Sequence, residues 1–149
     1  MNCFILPRRP RSYNSWTKND AKGQSFLKAI TDSFQSVYDK HEILTGDLYG
    51  TVYYFFKEDR RNDADNLSKP VWDCLNNLVY YDDKQIKLRI AGVFDLNKNG
   101  LSQINFSKVP KEVIRQFLDA VESHDHFLYI ECGVLSFNFY QFNIEENEI

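Results

Sequence analysis

The sequence predicts an α/β domain, or an α+β arrangement as the alternative, with a mixed β-sheet flanked by helices. Three observations lead there. Strand-like and helix-like segments alternate along the 149 residues in the order β, α, β, α, β, α, β, and such an order builds a sheet with helices packed on it. The composition, 43% hydrophobic and 15% aromatic, supplies a real core and suits one domain better than two. No internal repeat or interdomain linker divides the chain, so the expected unit is 1–149. Residues 143–149, with Glu145, Glu146 and Glu148, are expected to form a flexible acidic tail.

Each element has its own signal. Phe4 to Leu6 reads as a short strand, and Pro7-Arg8-Arg9-Pro10-Arg11 as an extended basic loop, because proline disfavours helix in the residue before it. From about Ser25, Phe26, Ile30, Phe34, Val37 and Tyr38 recur at helical spacing. Gly46-Asp47 supplies a turn into Leu48 to Phe56, which is apolar on both alternate faces and so reads as a central strand covered on each side. Leu67, Val71, Leu75 and Leu78 form a second helical stripe, in which Pro70 is tolerable only in the first turn. Ile86, Leu88 and Ile90 alternate with Lys87 and Arg89, predicting a strand with one wet face. A helix around Val113 to Val121 and a β-rich end from Phe127 to Phe142 complete the prediction.

Composition also excludes some classes. No apolar run approaches the about 20 residues needed to span a bilayer, and Cys3 to Leu6 is too short for a signal-peptide core. No membrane role is expected, and the chain reads as soluble and intracellular, hence cytoplasmic. Cys3, Cys74 and Cys132 are scattered and odd in number, which fits buried free thiols better than a disulfide framework or a zinc site. The formal charge is -3, which argues mildly against nucleic acid, but its distribution is uneven. Residues 1–30 carry six basic side chains against Asp20 alone, whereas residues 111–149 carry two basic and eight acidic ones. A local cationic surface on an acidic protein is compatible with that asymmetry, as are ordinary solvated loops.

The segment richest in chemistry is Asp63-Ala64-Asp65-Asn66-Leu67-Ser68-Lys69, followed by Asp82-Asp83. In extended backbone, Asp63 and Asp65 point to the same side, and Asp83 at the mouth of the next strand can meet them. Carboxylates about 4 Å apart repel by about 4 kcal/mol at an effective dielectric near 20, so three of them require a cation or protons. Magnesium suits such a site, because it binds a few carboxylates and keeps water positions open. The same residues also suit helix capping and turns, and spacing alone leaves both readings open. Asp95-Leu96-Asn97-Lys98-Asn99-Gly100 copies half of an EF-hand loop but has Phe106 where the bidentate Glu is required, so Asn99-Gly100 reads as a hairpin turn. His124-Asp125-His126 reads as a polar loop before a strand, and His41 as a structural residue at a helix end.

Taken together, Asp63-x-Asp65-Asn66-x-x-Lys69, with Pro70, Asp73 and the later Asp82-Asp83-x-Gln85, resembles the RusA family of Holliday junction resolvases. The likeness is strong over about residues 58–90, weaker over the N-terminal strand and loop and over Leu48 to Phe56, and absent after about Phe94. It implies a homodimeric crossover junction endodeoxyribonuclease of DNA recombination and repair, dependent on Mg2+ with Mn2+ as the alternative, acting on branched DNA. Carried over by residue, Asp63, Asp65 and Asp83 are expected to bind the metal, and Lys69 to assist electrostatically at the scissile phosphate. Asp82 and Asn66 take supporting roles, while Arg8, Arg9, Arg11, Arg60 and Arg61 are candidate contacts to the DNA backbone. Two alternatives accompany this expectation. One is a non-catalytic module of the same fold that binds DNA or a basic protein, and the other a nuclease for flaps or forks.

Overall fold

The computed structural model describes residues 1–58, 64–102 and 104–136, with the backbone alone at Asp65 and Asn99. The first strand, β1 (Asn2–Leu6), leads through the Pro- and Arg-rich loop to α1 (Ala21–Val37). This helix begins earlier than its apolar period predicts. Its start is set by a cap instead: Asp20 accepts a 2.6 Å hydrogen bond from the Gly23 amide, satisfying a first-turn donor in a turn that has no apolar stripe.

The strand β2 (Leu48–Phe56) has the predicted bounds, and α2 (Ser68–Leu75) follows with Pro70 in its first turn, where no intrahelical donor is lost. A 3-10 turn at Asp83–Gln85 opens β3 (Ile86–Asp95), then come a short helix α3 (Leu96–Asn99), α4 (Lys111–Ser123) and β4 (His126–Val134). The expected hairpin at Asn99-Gly100 is not formed. The Asp95 carboxylate accepts from the Asn97 amide at 2.9 Å and so caps a helical turn, which Gly100 ends at φ +56°. Residues 137–142 of the predicted β-rich end and the expected acidic tail at 143–149 lie outside the described residues.

The four strands form one mixed sheet in the order β1-β4-β2-β3, with β2 and β3 parallel and the other pairs antiparallel. The chain is thus a single α/β domain, and the central position expected for β2 is confirmed. Helices cover both faces because the strands alternate apolar residues outward on each side. On one face Phe4, Leu48, Val52, Tyr54, Leu128 and Ile130 pack with Phe26, Ile30 and Phe34 of α1 and with Val71, Trp72 and Leu75 of α2. On the other, Ile5, Phe55 and Phe127 pack with Val113, Phe117 and Ala120 of α4. Gly50 lets α2 lie close to the sheet, since a β-carbon there would fall 2.8 Å from the Trp72 indole.

His126, expected in a polar loop before the last strand, is instead the first residue of that strand, whereas His41 is structural as expected. His126 is buried in β4, where its Nδ1 meets the Tyr54 hydroxyl at 2.6 Å. His41 meets the Leu78 carbonyl at 2.6 Å and packs edge-on to Phe34, so its partner is not the end of α1 as expected. All three cysteines are buried and unpaired. Among the described residues no helix is long and apolar enough to cross a membrane.

Candidate active site

The site is built around the turn that starts β3. Asp82 caps this turn by accepting from the Lys84 amide at 2.8 Å. Gln85 completes it by accepting from the amides of Tyr81 and Asp82 at 3.0 and 3.1 Å. The Gln85 amide group also donates to the carbonyls of Leu44 and Gly46, tying the turn to the segment that enters β2. The Asp-Asp-x-Gln motif therefore has a mechanical reason: Asp82 and Gln85 fix the backbone, and Asp83 is the carboxylate left to face outward from it.

Lys69, in the first turn of α2, reaches across to that carboxylate. Its ammonium lies 2.9 Å from Asp83 Oδ2 and 2.5 Å from Asp73 Oδ1. Lys69 thus pairs one helical turn on with Asp73 and at the same time meets Asp83. Arg89 of β3 adds a second cation, donating to Asp83 Oδ2 at 3.1 Å and to the Asp83 carbonyl at 2.9 Å. Asp73 is itself held by the Trp16 indole N–H at 2.9 Å, which joins the loop before α1 to the same cluster. Sequence reading missed Arg89 and Trp16. Arg89 was visible only as a wet-face residue of β3, and it reaches back six residues to the turn that opens that strand.

The other expected residues are distributed unevenly. Asp65 and Asn66 belong to the 3-10 turn Ala64–Asn66, which packs against β3 and α2 and so lies on the same side of the fold as Asp83. Asp63, Arg60 and Arg61 lie outside the described residues, as does the side chain of Asp65. Arg8 is anchored on α1, donating to the Ser25 carbonyl at 2.9 Å, while Arg9 is exposed and Arg11 half-buried. Among the described residues no three His, Cys, Asp or Glu side chains converge on one point. The Asp83 carboxylate offers a hard oxygen donor, but Lys69 and Arg89 already neutralise it, and a divalent cation there would compete with both.

Burial opposes ionisation of Asp83, but the hydrogen bonds and charges of Lys69 and Arg89 outweigh it and hold the carboxyl below its ordinary value of 3.8. Lys69 is shifted the other way, as burial is outweighed by Asp73 and Asp83 and its ammonium is held above the ordinary range. Because the Asp83 pKa is lower in the folded state, its stabilising contribution is full above about pH 4 and is lost as pH falls through the folded value. Melting curves from pH 5 to pH 2 should therefore fall more steeply for the parent than for Asp83→Asn. Parallel curves would show that the pairing carries no stability.

The fold and this centre define a protein in which a helix and a strand-opening turn present paired charges at the parallel edge of a mixed sheet. A family model, endodeoxyribonuclease RusA, matches residues 7–102, and the chain belongs to that family of nucleases. The matched region runs from the loop after β1 to just beyond α3, wider than the segment on which the resemblance rests, and leaves α4 and β4 outside. No curated protein matches the chain.

Proposed function

We propose that this protein is a metal-dependent endodeoxyribonuclease that nicks branched DNA, with the four-way junction as substrate. The observation that carries the reading is the meeting of Lys69 and Asp83, fourteen residues apart, at 2.9 Å inside the family-matched region. Asp63, Asp65 and Asp83 are the residues that would hold the ion, Mg2+ by their oxygen chemistry with Mn2+ as the alternative. A divalent ion held there would supply an acidified water and offset charge on a phosphoryl oxygen. Lys69 places a further positive charge where negative charge grows on the phosphate. Arg89 positions Asp83, and Asp82 holds the turn that presents it.

The test is cleavage of a synthetic four-way junction beside flap and fork substrates, with magnesium, with manganese and with EDTA. Paired nicks in the junction that require a divalent ion are expected. Tight junction binding without product under every metal would instead support a non-catalytic binding module, while preferred cutting of flaps or forks would move the substrate and keep the chemistry.

We also propose a homodimer, because a four-way junction has twofold symmetry and paired nicks need two equivalent centres. Light scattering should give twice the chain mass at assay concentration. A monomer that still makes paired nicks would reject the dimer.

A further inference from the structure

The face of the sheet turned away from Asp83 carries a cavity of about 650 Å³ between the strands, α4 and the segment around Ile104 to Val109. That volume is within the range of small-molecule sites and far beyond the water-sized gaps of a packed interior. Its walls are aromatic. Tyr53 and Tyr129 stack at 6.1 Å, Phe94 stands edge-on to Tyr53 at 5.3 Å, and Phe106 closes another side.

Two charged side chains line this apolar wall, the exposed Lys108 at its rim and Glu131 on the sheet. Glu131 of β4 accepts the Tyr49 hydroxyl at 2.6 Å on one oxygen and the Tyr129 hydroxyl on the other. Gly133 makes the arrangement fit, since a β-carbon there would fall 2.7 Å from the Tyr49 ring. Both donors are neutral phenols, kept protonated by burial and by the carboxylate itself. The Glu131 charge is therefore fixed in place without being cancelled. Among the described residues no Lys, Arg or His makes an ion pair with it. A carboxylate has about four acceptor sites, so two remain for a ligand.

We propose that this cavity binds an organic cation with an alkylated ammonium head, the charge set against Glu131 and the alkyl groups against Tyr53, Tyr129 and Phe94. Aromatic faces attract a cation through their quadrupole, and substituted ammonium groups exploit this because they shed water easily. At the Glu131 end an anionic or phosphate-bearing ligand is opposed by the same carboxylate, and Lys108 lies exposed at the rim without an ion pair to it. The site is separate from the nuclease centre, which lies on the α1 and α2 face, and the inference does not depend on the nuclease reading.

The test titrates the full chain with choline and with its neutral isostere, in which carbon replaces the nitrogen, by calorimetry and by the shift of melting temperature. Choline should bind the parent at least about tenfold more tightly than the isostere, a gap of about 1.4 kcal/mol. Glu131→Gln keeps the shape and should lose that preference, as should Tyr53→Leu, which keeps apolar bulk but removes a π face. Equal affinity of choline and isostere for the parent overturns the proposal without reference to any variant. So does the absence of binding at tens of millimolar choline, the result expected if a second copy or another part of this chain fills the cavity. A peptide bearing trimethyllysine distinguishes the sources: tighter binding than choline assigns a protein side chain, and weaker binding a free small molecule.

Discussion

Asp83→Asn should slow single-turnover nicking of a four-way junction by at least about a hundredfold, and Asp63→Asn and Asp65→Asn should each do the same. Every one of these changes keeps the side-chain shape and removes one negative charge from the proposed metal set. Binding should respond differently. Without metal, the carboxylates repel the approaching phosphates, so junction affinity in EDTA should be equal or tighter in each variant. Stability separates Asp83 from the other two. Its carboxylate is paired with Lys69 and Arg89, so Asp83→Asn should lose on the order of 1 kcal/mol without metal. No such loss is expected from relief of mutual repulsion at Asp63 and Asp65. If the aspartates were only caps, Asn would replace them well and little would change in either assay. Near-parental cleavage by any two of the three variants would reject the proposed metal set.

Lys69→Ala should slow cleavage by more than about tenfold, equivalent to about 1.4 kcal/mol of barrier, while shifting the melting temperature little. The small stability effect follows from exposure: the Lys69 side chain is 37% accessible, and ion pairs in that setting contribute at most about 1 kcal/mol. Its place on Asp83 adds a second expectation. In the absence of metal the ammonium occupies a carboxylate oxygen that a divalent ion would need, so removing it should tighten manganese binding measured by calorimetry. Cleavage and metal affinity should therefore move in opposite directions. Unchanged single-turnover cleavage would reduce Lys69 to a partner of Asp73 on the surface.

How far these residues could be read in advance depended on whether their reason was local. The strand Leu48–Phe56 and the position of Pro70 were legible, because burial on both faces and the proline ring act within a few residues. The start of α1 was misplaced because an Asp20 cap marks it and the apolar period does not. Asn99-Gly100 looked like a hairpin turn, but Asp95 caps a helical turn ahead of it and β3 has no neighbouring strand next in sequence to fold back upon. Asp83 and Lys69 were legible as a motif, with spacing silent on their distance. Trp16 and the Tyr49-Glu131-Tyr129 arrangement were not, since each joins segments far apart in the chain. Arg89 was not because its bond to Asp83, six residues back, depends on how the 3-10 turn aims that carboxylate.

The insertion of β4 between β1 and β2 has a consequence for how the molecule comes into being. Among the described residues β1 bonds to no strand but β4, so residues 2–6 must wait for residues 128–132 before that ladder can close. The closure entropy of such a distant pairing makes assembly slow and late. By contrast, β2, α2 and β3 are consecutive and carry the charged centre within a short stretch of chain. The region that the nuclease family shares is thus the more local part of the topology, yet β4 and α4 complete its sheet and core. A chain ending after α3 would leave β2 with a bare edge, β1 without a partner and Phe55 uncovered by α4, and should emerge as an aggregating species rather than a smaller enzyme.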